Sequence, residues 1–215
     1  MITKKITIVD YGLGNLFSVQ RAFEICEGVS VLITSDPREI MRSDRLVLPG
    51  VGAFRKGIEG LKQRGQTESI SEFFLTGRPL LGICLGMQLF ATISEEFGTC
   101  NGLNLVPGQV VAIPSVDQEG EQLRSPFIGW SQLNATSKQN ESAGLLKSFD
   151  FRDSVYLVHS FQLIPNDEKH RLATYHYGGH EITAAVTVDN LTGLQFHPEK
   201  SGQVGIEILR NFALM

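Results

Sequence analysis

The chain has 215 residues, 42% hydrophobic and 20% charged, with a formal net charge of −4, an ordinary balance for a globular chain that buries a full core. That charge carries no polyanion-binding signature, so nucleic acid and anionic membranes are poor partners, and no apolar run approaches the length of a membrane span. The three cysteines, Cys26, Cys84 and Cys100, are odd in number and not closely paired, which points to a reducing, cytoplasmic setting rather than a disulfide framework.

In chain order, "MITKKITIVDYG" has a charged start, but its apolar part is too short for a secretory leader. "KKITIVDYG" reads instead as a strand entering a glycine turn. "NLFSVQRAFEICE" places Leu16, Val19, Phe23 and Cys26 on one helical face. "VSVLITS" is a second strand. "DPREIM" opens a short helix with Asp36 as N-cap and Pro37 at its first position. "RLVLPG" is a third strand, followed by helical patterns through Lys62 and around "ESISEFFL". "RPLLGIC" is a fourth strand. "LGMQLFATISEEFG" reads as one helix closed by Gly98, with Leu85, Leu89, Ile93 and Phe97 in a stripe four residues apart.

Strands alternating with helices predict an α/β fold, a mostly parallel open sheet flanked by helices. Right-handed crossovers put the strand C-termini on one edge, where sites of such sheets gather. "DYGLGN", "PGVG" and "GICLG" should therefore meet there. In the second half, "GQVVAIP", "SVYLVHSFQL", "RLATYHY", "EITAAVTV" and "LTGLQF" read as strands of an added antiparallel region continuing the same sheet. "QVGIEILRNFAL" is a closing helix. The polar stretch 115–125 is expected to be a mobile loop. No repeat or linker divides the chain, so one domain is expected over 1–215.

The stretch "GICLG" carries the chemistry. A strand turning directly into a helix forces its corner residue into a sparsely populated backbone region, and Gly82 and Gly86 relieve the crowding. This is the spacing of a nucleophile elbow with cysteine at its corner. A free cysteine is more often a small buried core residue. Glycine at 22 of 215 positions, however, gives three cysteines only about 0.03 chance matches to that spacing. The helix N-terminus favours the thiolate.

A thiol nucleophile needs an oriented base. In "QFHPEKSG", His197 and Glu199 flank Pro198, and in an extended segment residues two apart point the same way. Glu199 can then orient His197. His159, in "YLVHSFQ", could line a pocket, whereas His170, His176 and His180 are assigned no role. No metal-ligand spacing occurs and no cofactor is expected. "YGLGN" is an incomplete dinucleotide fingerprint and is set aside.

Strand–"GICLGMQ"–helix with "QFHPEKSG" resembles the class I glutamine amidotransferases and their Cys–His–Glu triad. Together with "IVDYGLGN", "LVLPGVGAF", "IGW" and "VHSF", the chain is similar from about residue 6 to residue 212 to the family of glutaminase subunits of imidazole glycerol phosphate synthase. The resemblance implies hydrolysis of L-glutamine by Cys84, His197 and Glu199. It implies an oxyanion turn at Pro49, Gly50, Val51 and Gly52, acting with the Leu85 amide. It further implies substrate contacts from Gln88, His159, Ser160 and Phe161, and a heterodimer with a (β/α)8-barrel synthase subunit that takes the ammonia for histidine biosynthesis.

Trp130, in an expected loop, with Tyr156 and Lys200, forms the candidate partner surface. Phe127 and Ser131, beside Trp130, depart from the family pattern. They are expected on the same face, which keeps open a paralogous subunit feeding ammonia to an amidotransferase for surface-polysaccharide sugars. A hydrolase of the same sheet class and a non-catalytic regulatory subunit are readings of other classes.

Overall fold

The structure is a computed structural model that describes residues 4–136, 144–147 and 149–215. Runs of Val, Ile and Leu form the four strands expected of the first half: β1 (Lys4–Val9), β2 (Val29–Thr34), β3 (Arg45–Gly50) and β4 (Leu80–Cys84). β1 pairs in parallel with both β2 and β3, and β3 with β4. The last two are buried along their whole length, as continuous apolar strands covered on both faces should be. β14 (Leu191–Leu194) adds in parallel to β4, and β13 (His180–Val188), β12 (Arg171–Tyr177) and β9 (Asn134–Ala135) follow antiparallel. The order across this eight-stranded sheet is β2-β1-β3-β4-β14-β13-β12-β9.

Helices cover both faces. α1 (Leu16–Glu24) and the closing helix α6 (Gly202–Leu214) lie on one side, where Phe23 and Phe212 pack 6.0 Å apart within one apolar cluster. α2 (Pro37–Met41), α3 (Phe54–Gln63), α4 (Gln66–Leu75) and α5 (Leu85–Leu89) contribute to the second cluster. The start of α2 is as expected: Asp36 accepts the Arg38 amide at 2.9 Å, with Pro37 at the first position.

The second half departs from the expected single sheet. β11 (Phe161–Pro165), β7 (Val106–Ala112), β5 (Ala91–Ser94) and β6 (Cys100–Asn101) form a separate four-stranded sheet, and β10 (Ser154–His159) pairs with β8 (Phe127–Gln132) as a ribbon. "SVYLVHSFQL" is thus two strands in two sheets, broken at Ser160. The helix expected over 85–98 ends at Leu89, and Ala91–Ser94 is strand β5, parallel to β7 and antiparallel to β6. Thr92 and Ile93, β-branched, suit a pleated strand better than a helix, and the pairing with a distant strand decides.

Trp130 also lies in a strand, β8, not in a loop. Strand alternation puts Ile128 and Trp130 on the exposed face, and Phe127 and Ser131 on the opposite one. Phe127 packs 5.1 Å from Tyr175 and 4.8 Å from Tyr177, so it does not share the face of Trp130 as expected. The 115–125 stretch is a loop, but a pinned one. Asp117 accepts the amides of Glu119 and Glu121, the Gln118 amide donates to the Gly178 carbonyl, and the Leu123 amide to that of Ser115.

Candidate active site

Cys84 stands at the corner where β4 becomes α5. Its φ of 54° and ψ of −110° are strained for a residue with a side chain, by about 1–3 kcal/mol. The bend is tight because α5 is laid directly on the sheet. A Cβ on Gly86 would meet the Leu48 carbonyl oxygen at 1.7 Å, and one on Gly82 the Phe90 ring at 2.4 Å. Both glycines are therefore demanded by close approach, as the spacing suggests. The helix that follows has only five residues, so its dipole is smaller than the expected full-length helix would supply. Individual groups meet the sulfur instead: Gln195 Nε2 donates to Sγ at 3.7 Å, and the Val158 carbonyl lies 3.9 Å from it.

His197 follows β14 in extended conformation, but Glu199 does not continue the extension. Pro198 begins a 3-10 turn over Pro198–Lys200, since a fixed φ and a missing N–H are harmless at a first helical position. The turn curls the carboxylate back onto the imidazole, and His197 Nδ1 donates to Glu199 Oε1 at 2.8 Å with both side chains nearly sealed, 3% and 2% exposed. Nε2 of His197 is buried and takes no hydrogen-bond partner among the described residues. Burial alone would lower this imidazole's pKa. Interaction with Cys84 and the hydrogen bond and charge of Glu199 outweigh it, and the pKa rises to about 9. Backbone bonds fix the segment further: the His197 amide donates to the Tyr156 carbonyl, and Ser201 Oγ donates to the His197 carbonyl while accepting the Tyr156 amide.

A 230 Å3 cavity opens over the sulfur, lined by Val51, Gly52, Cys84, Leu85, Gln88, Glu96, Val158, His159, Ser160 and Phe161. It is smaller than the roughly 300–1,000 Å3 of drug-sized sites. Gly50 pairs in register with Cys84, so the turn after β3 stands beside the elbow, with Val51 42% exposed and Gly52 at φ 115°. Gln88 spends its amide protons inside the fold, donating to the Phe161 carbonyl and to Gln195 Oε1, both at 2.9 Å. Only its oxygen is left to face a ligand.

His159 is equally constrained. Its Nδ1 donates to the Phe161 carbonyl at 2.9 Å, so Nε2 accepts from the Tyr175 hydroxyl, also at 2.9 Å. Burial is the main reason its pKa falls to about 4; the nearby His197 adds to the fall, against the bond to Phe161. The ring is neutral and structural. Trp130, Tyr156 and Lys200 gather on the surface: the two rings are 5.8 Å apart, and Lys200 Nζ lies 5.8 Å from the Tyr156 centroid.

Two residues escaped the sequence reading. Gln195 links the sulfur to Gln88 across 107 positions. Glu96 brings a carboxylate into the cavity, anchored by the Phe54 amide at 2.6 Å. No motif spacing could reveal Gln195's partners, though its place two residues before His197 was a hint. Glu96 lies just past β5, in a stretch whose apolar spacing predicts a helix instead. Larger concavities of 460 and 660 Å3 lie elsewhere, lined by neither the cysteine nor the histidines of the site. Among the described residues no group is placed to hold a metal ion, and no helix is long and apolar enough to cross a membrane.

Comparison with known proteins is consistent with this geometry. The family described as Glutamine amidotransferase class-I matches residues 7–215. The chain is 48% identical over 208 residues to imidazole glycerol phosphate synthase subunit HisH 1 of Legionella pneumophila (strain Paris), covering 96% of this chain and 97% of the relative. It is 47% identical over 211 residues to subunit HisH of Syntrophotalea carbinolica, covering 98% and 100%. Among solved structures, one described as a glutamine amidotransferase superposes with a TM-score of 0.70 at 14% identity over 97% of this chain and 99% of the other. A chain of PurLQS from Thermotoga maritima superposes with a TM-score of 0.68 at 17% identity, over 99% and 98%. The structural likenesses speak to fold alone.

Proposed function

The chain belongs to the class-I glutamine amidotransferase family, and from that premise we propose that it is the glutaminase subunit of an imidazole glycerol phosphate synthase. It hydrolyses glutamine to glutamate and ammonia in one cytoplasmic domain, and the ammonia passes to a (β/α)8-barrel synthase subunit for histidine biosynthesis. The observation that carries the catalytic part is the sealed His197–Glu199 pair, whose free Nε2 and raised pKa accompany a strained corner thiol in a small cavity.

In this reading Cys84 Sγ, as thiolate, adds to the side-chain amide carbon of glutamine. The carbonyl electrons move to oxygen, and the oxyanion is met by the amides of Leu85 and, after rotation of the Gly50–Val51 peptide, Val51. His197 Nε2 gives its proton to the leaving nitrogen. The C–N bond breaks, ammonia departs, and a thioester to Cys84 remains. The now neutral His197 takes a proton from water, whose hydroxide adds to the thioester carbon. Collapse expels the thiolate and releases glutamate. Glu199 holds the ring and stabilises its cation throughout.

Glu96 is suited to the substrate's ammonium group, and the Gln88 oxygen to the same end. Ser160 and Phe161 wall the cavity. Released into water, ammonia would be protonated and cease to be a nucleophile, so a sealed partner interface is chemically required; Trp130, Tyr156 and Lys200 are its candidate residues. Phe127 and Ser131, turned away from that face, give the polysaccharide-paralogue reading no support, and the assembled thiol–imidazole–carboxylate site argues against a silent regulatory subunit.

The test is covalent. A glutamine-derived chloroketone or acivicin should label the chain once, with the adduct mapped by mass spectrometry to Cys84, and excess glutamine should protect it. Labelling at Cys26 or Cys100, or none that glutamine blocks, would refute the assignment.

A further inference from the structure

Tyr11 is the residue whose surroundings the mechanism leaves unexplained. It follows β1 in the first glycine turn and is 1% exposed, packed in the apolar cluster with Leu48, Phe54 and Leu85. Its hydroxyl has no hydrogen-bond partner among the described residues. A buried polar atom left orphaned is a net loss to the fold, and phenylalanine would fill the same space without it.

The hydroxyl points at one place. A Cβ built on Gly50 would fall 1.9 Å from Tyr11 Oη, so the phenol oxygen occupies the position a Gly50 side chain would take. The rest of the first turn leans on the same residue: a Cβ on Gly14 would stand 3.4 Å from Gly50 Cα. On its other flank Tyr11 is held by α3, where a Cβ on Gly60 would stand 2.5 Å from the Tyr11 carbonyl oxygen. Besides burial, the charge of Cys84 raises the phenol's pKa, which keeps it a neutral O–H donor close to the nucleophile's field. Tyr11 does not line the substrate cavity, so it does not touch the reacting atoms.

We infer that Tyr11 is a positioning residue for the oxyanion turn, its hydroxyl donating to the Gly50 carbonyl when the Gly50–Val51 peptide rotates to aim the Val51 amide at the oxyanion. This rests on the glutaminase reading. The rotation moves a carbonyl away from the site, and that carbonyl then needs a donor. Gly50 and Gly52, the latter at φ 115°, permit the turn to move. The waiting phenol supplies the donor, so the orphaned hydroxyl of one conformer is satisfied in the other. Partner binding then has a defined two-state element to bias.

The experiment compares wild type with Tyr11→Phe, each alone and co-purified with its barrel partner. Glutamine kcat and KM, thermal midpoint, and the rate of Cys84 alkylation by iodoacetamide, a reaction that needs no oxyanion donor, are measured. The expected result is a kcat lowered about tenfold with partner bound, as loss of one neutral hydrogen bond implies. KM and the alkylation rate should stay unchanged, and the thermal midpoint unchanged or higher. An unaltered kcat would overturn the role. So would a kcat loss accompanied by a lower midpoint or slower alkylation, which would mark Tyr11 as structural support. A wild type that does not hydrolyse glutamine would instead refute the glutaminase reading itself.

Discussion

Two buried histidines of one site are held in opposite protonation states. His197 keeps its proton to about pH 9, and His159 is neutral down to about pH 4. The signs of their effects on stability follow. His197, raised above its unfolded value of about 6.5, contributes stability that is fully present below pH 6.5 and is lost as pH climbs through 9. His159, depressed, contributes stability that is full above pH 6.5 and is lost as pH falls through 4. Urea melts between pH 7 and pH 4 should therefore show a steeper acid loss for wild type than for His159→Gln, whose absolute stability is lower because Tyr175 loses its acceptor. Parallel loss in the two proteins would show that His159 is not the buried neutral ring described. At this scale the tight bend at Cys84 and the pairing of His197 with Glu199 were legible in the sequence, because glycine spacing around Cys84 and the short His-Pro-Glu step are local. Gln195, Glu96 and Tyr11 were not, since each depends on groups the chain brings from far away.

At the scale of elements, the β8–β10 ribbon joins the candidate partner surface to the chemistry. Trp130 and Tyr156 are cross-strand neighbours. The Tyr156 carbonyl accepts the His197 amide, its own amide donates to Ser201 Oγ, and Val158, two residues on, reaches the sulfur of Cys84. A partner seated on Trp130 would bear on a strand that touches both Cys84 and His197. Trp130 is 57% exposed, so Trp130→Ala should leave the thermal midpoint of the isolated chain nearly unchanged. Its loss should weaken binding of the barrel partner by about 2 kcal/mol, roughly thirtyfold, as a central aromatic anchor does. Calorimetric titration of the partner into both proteins checks this, and equal affinities would remove Trp130 from the interface. The ribbon was poorly legible. "SVYLVHSFQL" holds no Gly or Pro to signal a break, and only Ser160, a small polar residue, marks where the chain leaves one sheet for another.

For the whole molecule, the parallel half was readable because each strand–helix repeat announces itself within about thirty residues. The second sheet was not, because β5 finds its partners at Val106–Ala112 and Cys100–Asn101, and apolar spacing around Leu89 and Ile93 fits both periods. The outcome for function is one edge of the main sheet on which three glycine turns converge, with Gly14 against Gly50 and Gly50 beside Cys84. The functional reading stands or falls on that edge being a glutaminase site. Glutamate release by the chain with its barrel partner, for wild type, Cys84→Ala, Cys26→Ser and Cys100→Ser, tests it most directly. The expected result is turnover abolished in Cys84→Ala alone and largely kept in the other two; continued glutamine hydrolysis by Cys84→Ala would contradict it.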